Sequence, residues 1–398
     1  MKCWITCGIF LLWSAGAWAR HIIGGDIALV KQSATSNNYI LTLTLIYDDV
    51  LGSTDDKANI SSFQKSNNLR IQDFVLSRSS RQELPYSNAR CVPGAQASLI
   101  TLVRYTSIIT LSPTTYNDAQ GYYFSWEECC RNEGLLNIQN PNRSGLAFYA
   151  EVSLNNVQTA LPQFKIPEVK YVCAGKNFEA DFGATSAAGS ELRYSLVTPL
   201  IGSTDPGGVF PGKPKQGPYN QAIWATGFDS TKAVSGTQPL QIDAKTGKIN
   251  VNASQLGMYA FAVRCEEWKQ GVKTGEVRRE FVLNVVDCIA AAPPPAFIEI
   301  LTASPTISYQ SEPSGHVPLV DMCNGDSVVL KADDENPQWA YQWLKDDQPI
   351  ANANRSFLPV YQAGNYTLVK RFTESCGTEE STSNFSRVNV KNASLIHI

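Results

Sequence analysis

Short runs of alternating apolar and polar residues, separated by turn residues, make up most of this chain. Residues 257–263 and 280–286 follow the two-residue period of a half-buried strand. The 27 glycines and 21 prolines are spread between such runs, as the turns of a β-protein require. The sequence contains no heptad repeat and no long stretch with helical periodicity. The pattern therefore predicts an all-β fold.

A Gly-x-Tyr that is followed by a cysteine six to ten residues after the tyrosine occurs three times in the chain, and each copy also has a cysteine upstream. The copies consist of Cys91, Gly121, Tyr123 and Cys129, of Cys173, Gly257, Tyr259 and Cys265, and of Cys323, Gly364, Tyr366 and Cys376. A Gly-x-Tyr at the start of a strand is typical of a tyrosine corner, in which the hydroxyl bonds to the backbone of the preceding loop. Because the copies are a domain's length apart, the repeat predicts three tandem β-sandwich domains.

The N-terminus has the features of a cleaved secretory signal peptide. Lys2 precedes an apolar run that reaches Trp13, and Ala17 and Ala19 are the small residues that a cleavage site needs. Residues 1–19 are therefore expected to be removed. No other segment approaches the roughly 18 apolar residues of a membrane-spanning helix. We expect an extracellular or cell-surface protein without a transmembrane segment.

Two proline-containing segments divide the mature chain. Residues 290–296 contain three consecutive prolines, which favour a stiff, extended linker. Residues 161–167 begin and end near prolines that interrupt the strand pattern. The expected domains are therefore residues 20–160, 161–289 and 297–398.

The cysteine count agrees with export, because eight of the ten cysteines lie outside the expected signal peptide. An even number is typical of disulfide-bonded proteins in oxidising compartments. The disulfide candidates are Cys91, Cys129, Cys130, Cys173, Cys265, Cys288, Cys323 and Cys376. Metal or redox roles are less favoured, because the sequence has no Cys-x-x-Cys motif.

Cys129 and Cys130 are expected to take different partners, because successive side chains of a strand point to opposite faces. Cys91 is the expected partner of one of them. The other could bond to a cysteine of the second module and so link the two modules. A bond between Cys323 and Cys376 stays open, because the repeat favours it, whereas an idealised sandwich places these residues about 20 Å apart.

The third module follows the strand pattern of an immunoglobulin domain. Residues 325–330 resemble strand B and residues 341–344 resemble strand C, so Trp343 is expected in the core. Ala332 and Leu368 occupy the positions of the usual inter-sheet cysteines. In the second module, residues 240–249 follow a strand-turn-strand pattern and precede the strands at 257–263 and 280–286. This module resembles the cadherin-like or Ig-like modules of bacterial surface proteins.

Three segments of the first two modules resemble one protein family. They are residues 21–27, the Glu-Glu-Cys-Cys-Arg-Asn segment at 127–132 and the Cys-Glu-Glu-Trp segment at 265–268. These segments resemble the PKD-domain and gliding-motility-associated surface proteins of type IX-secreting, Bacteroidota-type bacteria, and the third module resembles their Ig-like or PKD-like repeats. The resemblance implies a non-enzymatic structural or adhesion protein, associated with gliding or matrix. Its partners would be other surface proteins or extracellular glycans, bound through sandwich loops.

Aromatic residues in one long loop are the candidates for ligand binding. Residues 199–228 contain Phe210, Tyr219, Trp224 and Phe228 among glycines and prolines. Loops of this length are usually functional or packed on their own domain, and aromatic rings can stack on sugars or bury in a partner. The structural alternative is that these rings cap the open end of the sandwich. The functional alternative is a carbohydrate-binding module or an accessory protein of a polysaccharide-processing system.

The composition argues against several other functions. A net charge of -3 gives no electrostatic reason to expect nucleic acid as a partner. The three histidines lie outside any recognisable catalytic motif. No catalytic residue and no cofactor are therefore expected.

Acidic residues offer at most weak metal sites. Two clusters could hold calcium weakly, although solvated turns are the simpler interpretation. The clusters are Asp48, Asp49, Asp55 and Asp56, and Asp333, Asp334 and Glu335. On a strand, Glu127 and Glu128 cannot share a metal, nor can Glu266 and Glu267, because their side chains point to opposite faces. These four are expected to be solvated edge residues.

Overall fold

Strands make up nearly all regular structure in the described part of the chain, so the predicted all-β fold is confirmed. The computed structural model describes residues 22–33, 35–48, 55–92, 99–153, 161–186, 190–203, 212–288, 293–295, 297–301, 306–312, 315–332, 335–336, 339–372, 380–383 and 386–391. Within these ranges, short 3-10 turns at Ala89–Cys91 and Pro141–Arg143 are the only helical elements. The expected signal peptide lies outside them.

Sixteen strands lie in the described parts of the first two modules. Those of the first module are β1 (Ile22–Lys31), β2 (Asn38–Asp48), β3 (Lys57–Gln64), β4 (Arg70–Pro85), β5 (Leu99–Thr110), β6 (Tyr122–Glu128) and β7 (Leu146–Val152). Those of the second are β8 (Gln163–Phe164), β9 (Val172–Cys173), β10 (Asn177–Asp181), β11 (Ala184–Thr185), β12 (Glu191–Val197), β13 (Gly236–Ile242), β14 (Lys248–Ala253), β15 (Gly257–Lys269) and β16 (Val272–Val286).

A strand of the second module closes the sheet of the first. The strand order is β1-β2-β5-β4-β3-β6-β7-β16, and β16 also pairs with β1, so that eight strands form a ring. The closing pairs are Gly24 with Phe281 and Gly25 with Glu280. Glycine is needed at this junction, because a Cβ on Gly24 would lie 2.6 Å from the Glu280 carbonyl oxygen. A closed ring leaves no open strand edge.

Two strands pass from one layer to the other and join the layers at both edges. The first half of β4 pairs with β3, and its second half pairs with β5, with a bulge between Arg78 and Ser80. Similarly, β16 pairs with β7 through residues 275–277 and with β1 through residues 280–281. The first module is therefore a sandwich whose corner strands belong to both sheets.

The core of the first module lies inside this ring. Alternate residues of β2, namely Leu41, Leu43 and Leu45, are fully buried there. Trp126 of β6 stacks on Phe148 of β7, with ring centroids 5.1 Å apart. Burying side chains of this size stabilises the fold by about 1.5–3 kcal/mol each.

The second module is a sandwich whose core includes residues of the first. One sheet is β10-β14-β13, and β12, β15 and β16 form the facing layer. The core between them contains Phe178 and Phe261, together with Ile23, Ile46 and Ile100 from the first module. The expected boundary at residue 161 therefore divides the chain, but it does not divide the sheets or the cores. The first two modules form one structural unit.

Two buried ion pairs fasten β16 to the first module. Arg131, in the loop after β6, donates two hydrogen bonds of 2.9 and 2.8 Å to Glu280. Arg279 donates to Asp26 of β1 at 2.8 and 2.6 Å. All four side chains are at most 5% exposed. Losing one partner of such a pair leaves the other charge buried, which is strongly destabilising.

The third module is a separate sandwich. Its sheets are β17-β20-β23 and β18-β19-β26-β24-β21-β22, with β25 paired to β24. The strands are β17 (Ile298–Leu301), β18 (Thr306–Glu312), β19 (Gly315–Cys323), β20 (Val328–Ala332), β21 (Trp339–Lys345), β22 (Gln348–Pro349), β23 (Phe357–Val360), β24 (Gly364–Phe372), β25 (Ser381–Thr382) and β26 (Ser386–Lys391). Trp343 is fully buried, as predicted. Ala332 and Leu368 lie in the same core, so apolar packing occupies the usual disulfide position.

Tyrosine corners occur in all three modules, but the first module uses a different tyrosine. The hydroxyls of Tyr259 and Tyr366 donate to backbone carbonyls four residues earlier, at 3.0 and 2.9 Å. In the first module, the hydroxyl of Tyr122 accepts the Asp118 N–H at 2.7 Å. Tyr123 is the next residue of β6 and therefore points to the opposite face. The predicted corner position was wrong by one residue.

The structure places the sulfur atoms of Cys129 and Cys130 against each other and not towards separate partners. The expectation assumed that both lie on a strand, but β6 ends at Glu128, so the alternation of strand side chains does not apply to them. In the second module, Cys173 bonds to Cys288, with the Cα atoms 5.3 Å apart. Cys91 is buried against this disulfide.

Two of the disulfide candidates are free thiols. Cys265 is buried in the second core, and burial raises the pKa of its thiol to about 12. Cys323 is exposed. Cys376, the candidate partner of Cys323, lies outside the described residues. The Cys265 thiol reacts poorly because its pKa is high and the thiolate is the nucleophile.

We expect residues 20–160 alone to fail to form the native first module, because without β16 the strands β1 and β7 lose a pairing partner. Open strand edges promote association. In thermal unfolding followed by circular dichroism, residues 20–289 should show a cooperative transition, and residues 20–160 should aggregate or show none. A cooperatively folded 20–160 fragment would contradict the shared-strand architecture.

Asp26→Ala should lower the free energy of unfolding by about 3–5 kcal/mol, because Arg279 would stay buried without its partner. Asp56→Ala is the matched control, since Asp56 pairs with Arg78 at 2.6 Å but its side chain is 84% exposed. The control should cost less than about 1 kcal/mol. Urea unfolding of residues 20–289 measures both, and equal effects would show that the Asp26 pair has no special role.

Candidate functional site

A segment of the second module lies across the outer face of the first. We call residues 212–221 the strap; they belong to the long loop between β12 and β13. Strap N–H groups donate to side chains of β6, from Lys215 to Glu127 at 2.7 Å and from Gly217 to the Tyr123 hydroxyl at 2.8 Å. Part of the predicted ligand-binding loop is therefore bound by the neighbouring module.

An ion pair attaches the beginning of the strap. Lys213 contacts Asp73 of β4 at 2.8 Å. Burial acts to raise the pKa of Asp73, but hydrogen bonds from Lys213, Ser61 and Arg70 outweigh it and lower that pKa to about 2. Asp73 is therefore ionised at neutral pH and pairs with Lys213 at the beginning of the strap.

Beneath the strap, five side chains stack in a row across adjacent strands. The row, which we call the ladder, comprises Arg70 of β4, Phe63 of β3, Tyr123 of β6, Tyr149 of β7 and Arg278 of β16. Successive members lie 5.0, 4.9, 5.3 and 5.4 Å apart, measured between ring centroids or from a guanidinium carbon to a ring centroid. Such aromatic and cation–π contacts add about 0.5–1.5 kcal/mol each. The ladder is thus a rigid surface spanning five strands.

A cleft of about 260 Å³ lies between the strap and the ladder. We call it the tyrosine cleft. Its lining includes the aromatic residues Tyr123, Tyr149 and Tyr219, the amides Asn68 and Gln221, and the cations Lys65 and Arg278. Tyr219 stands edge-on to Tyr123, with the ring planes at 82°. The cleft therefore presents aromatic, amide and cationic groups within one small volume.

Acidic residues balance the cations of the cleft. Lys65 and Lys273 each contact Glu151 at 2.9 Å. Burial acts to raise the pKa of Glu151, but these lysines outweigh it and lower that pKa to about 2. Arg278 contacts Glu276 at 2.6 Å through Nε. The charges around the cleft are thus largely compensated.

The tyrosines of the cleft are neutral hydrogen-bonding groups. Burial raises the pKa of Tyr149, and so does the neighbouring Glu151, which accepts a hydrogen bond of 2.7 Å from the Tyr149 hydroxyl. Burial likewise raises the pKa of Tyr219. The hydroxyl of Tyr219 donates to the Lys215 carbonyl at 2.6 Å and shares a hydrogen bond with Ser125. Both phenols therefore stay protonated, and Tyr219 is held in a fixed position.

The structure separates the predicted ligand-binding residues. Tyr219 lines the cleft, whereas Trp224 and Phe228 pack against the second core. Trp224 also donates Nε1 to the Thr198 hydroxyl at 3.1 Å, and Phe228 lies 5.9 Å from the ring of Tyr259. These two rings follow the alternative in which aromatics cap the sandwich. Phe210 lies outside the described residues.

Two of the acidic residues predicted to be solvated are buried. Glu127 is 6% exposed because the strap covers it, and burial raises its pKa. Glu267 is fully buried and accepts the Thr274 hydroxyl at 3.1 Å. The prediction was wrong for both residues, because segments distant in the chain cover these strand faces.

Sequence reasoning missed the residues that hold the site together. Arg131 donates to the carbonyl oxygens of Gly145 and Leu200, in addition to Glu280, and so ties the first module to the beginning of the loop that carries the strap. The available signal was its place in the Cys-Cys-Arg-Asn segment. Arg278 and Lys65 carried no motif, because only the fold brings them together.

Among the residues described, no three or more histidine, cysteine or acidic side chains are grouped as metal ligands would be. Of the proposed calcium clusters, Asp56 is engaged by Arg78, while Asp49, Asp333 and Asp334 fall in the gaps between described ranges. No helix in the described ranges is long and apolar enough to cross a membrane.

No protein family and no curated protein matches the chain. Three solved structures show distant similarity to the chain. Murine CEACAM1b is 11% identical with a TM-score of 0.21, covering 58% of this chain and 100% of its own. Titin domains A168–A170 are 10% identical with a TM-score of 0.19, covering 92% and 100%. The four N-terminal Ig domains of Dscam1 isoform 8.4 are 10% identical with a TM-score of 0.17, covering 93% and 100%. At such TM-scores the similarity supports no conclusion about function.

Glu151→Gln should destabilise the protein at pH 7 by an amount on the order of 3 kcal/mol, because the folded-state pKa of Glu151 lies well below its ordinary value. This stabilisation is complete above pH 4.5, the ordinary pKa. It is lost as the pH falls through that value towards about 2. Urea unfolding of both proteins should therefore give a difference that shrinks between pH 5 and pH 2.

Glu179→Gln is the control for this series, because Glu179 is exposed on β10. It should leave stability and its pH dependence nearly unchanged. A Glu151→Gln difference that stays constant with pH would contradict the assigned ionisation.

Proposed function

We propose that this chain is an exported, non-enzymatic structural or adhesion protein of the cell surface or extracellular space. The observation that carries the proposal is the Cys173–Cys288 disulfide within an all-β unit. Structural disulfides persist in oxidising compartments outside the cytosol. The expected signal peptide, with cleavage after Ala19, supports the same location.

The construction of the first two modules supports a mechanical or scaffolding role. A shared strand, a shared core and two buried ion pairs leave the two modules no independent hinge. A rigid unit of this kind can transmit force or hold a binding surface at a fixed orientation. In this proposal the Pro-rich linker expected at residues 290–296 would hold the third module at a set distance.

The chemistry of the tyrosine cleft supports binding in preference to catalysis. The carboxylates of Glu151 and Glu276 are held in ion pairs, and the phenols stay protonated. A general base or nucleophile needs a group that gains or loses a proton near neutral pH. The resemblance to gliding-motility-associated surface proteins adds a finer proposal, in which the protein contributes to gliding or to the extracellular matrix.

Expression of the full chain with its own N-terminus in a bacterial host tests the proposal. The protein should be recovered outside the cytoplasm with Arg20 as its first residue. Non-reducing peptide mapping should recover a Cys173–Cys288 peptide and a thiol at Cys265 that reacts only after unfolding. Cytoplasmic protein that keeps residues 1–19 and has no disulfide would overturn the proposal.

A further inference from the structure

We propose that the tyrosine cleft binds one sugar residue of an uncharged extracellular saccharide. This inference rests on the proposed function and names the chemical class of its partner. It also selects the extracellular glycan from the partners that the resemblance implies.

The size of the cleft suits one sugar residue of a longer chain. Its volume of about 260 Å³ is below the roughly 300–1,000 Å³ of pockets that enclose a drug-sized ligand. The ligand must therefore be small, or it must be one unit of a chain that continues outside the cleft.

The cleft offers apolar surface in a fixed position. The ring of Tyr219, Pro218 and the side chain of Leu200 line it. Tyr219 is held by hydrogen bonds to Ser125 and Lys215, so little freedom is lost when a ligand packs against it. The C–H face of a sugar ring is the apolar surface of a polar molecule, and aromatic rings suit such a face.

The polar groups of the cleft suit hydroxyl groups. The amide of Gln221 can both donate and accept, as a hydroxyl can. The Oδ1 atom of Asn68 accepts a hydrogen bond from the Tyr123 hydroxyl at 3.1 Å. This bond fixes the orientation of the amide group, whose nitrogen is a hydrogen-bond donor. Lys65 contacts Glu151 and Arg278 contacts Glu276, but each side chain has more N–H groups than one such contact uses. Neighbouring hydroxyls of one sugar can therefore bond to several of these groups at once.

The charge balance favours an uncharged ligand. Lys65, Lys273 and Arg278 are matched by Glu151, Glu266 and Glu276 through contacts of 2.5–3.2 Å. A carboxylate or sulfate in the cleft would compete with buried acids for the same cations. An aliphatic peptide side chain would use only the apolar part of this lining and none of the hydrogen-bonding capacity of the Asn68 and Gln221 amides.

The test is binding of the mature protein, residues 20–398, to an array of neutral glucose-, mannose-, galactose- and xylose-based oligosaccharides. The strongest binder is then titrated by calorimetry. Gln221→Ala and Lys65→Met should each weaken binding by about threefold to tenfold, since each removes one hydrogen bond to the sugar. Glu151 keeps Lys273 as its partner in the second variant.

Matched controls change the same residue types outside the cleft. Gln82→Ala and Lys57→Met replace exposed residues of β4 and β3 and should leave affinity unchanged. Ligand-induced shifts of tyrosine NMR signals in the unmodified protein provide a second readout that needs no variant. Circular dichroism checks that each variant is folded.

Three outcomes would overturn the proposal. They are no binding to any neutral saccharide, affinity unchanged in both cleft variants, or preferential binding of sulfated sugars, uronic acids or a protein partner. None of these affects the export test, so the saccharide assignment can fail while the exported-protein proposal stands. If the protein is not exported but still binds a neutral saccharide, the exported-protein proposal fails while the saccharide assignment stands.

Discussion

Strand β16 is the element on which the two-module unit depends. It pairs with β15 along its length. On its other side it pairs with β7 through residues 275–277, with β1 through residues 280–281 and with β9 through residues 285–286. Its side chains also serve two cores, because Val277 packs in the first and Phe281 in the second. Arg279 and Glu280 supply one member each of the two buried ion pairs. Few positions of this strand can therefore change without affecting both modules.

The sequence was sufficient to predict features that depend on local pattern. Period-two alternation predicted the all-β class, and the strand pattern around Trp343 predicted its burial. Pairing between distant strands has no such local signal: nothing in residues 24–25 or 280–281 indicates that they adjoin. Two separate sandwiches were therefore the natural interpretation of a repeated motif, whereas a shared strand and a shared core require knowledge of the topology.

The structure separates the aromatic residues that were predicted to bind a ligand together. Tyr219 lines the cleft, whereas Trp224 and Phe228 turn inward to the core, and ligand binding by the loop stays a prediction. Composition identifies an aromatic residue and does not indicate which side of the loop it faces. The remaining cleft residues come from strands and turns far apart in the chain. Tyr123, Tyr149 and Arg278 come together because β6, β7 and β16 are neighbours in the sheet.

The position of β16 in the chain has a consequence for biosynthesis. The ring begins at Ile22 but closes only when residues near Phe281 arrive. A chain that crosses a membrane from its N-terminus thus cannot complete its first sheet until nearly all of both modules has been translocated. Contacts so distant in sequence form slowly. Late closure would leave the first sheet incomplete, with β1 and β7 lacking one partner strand, until β16 is available.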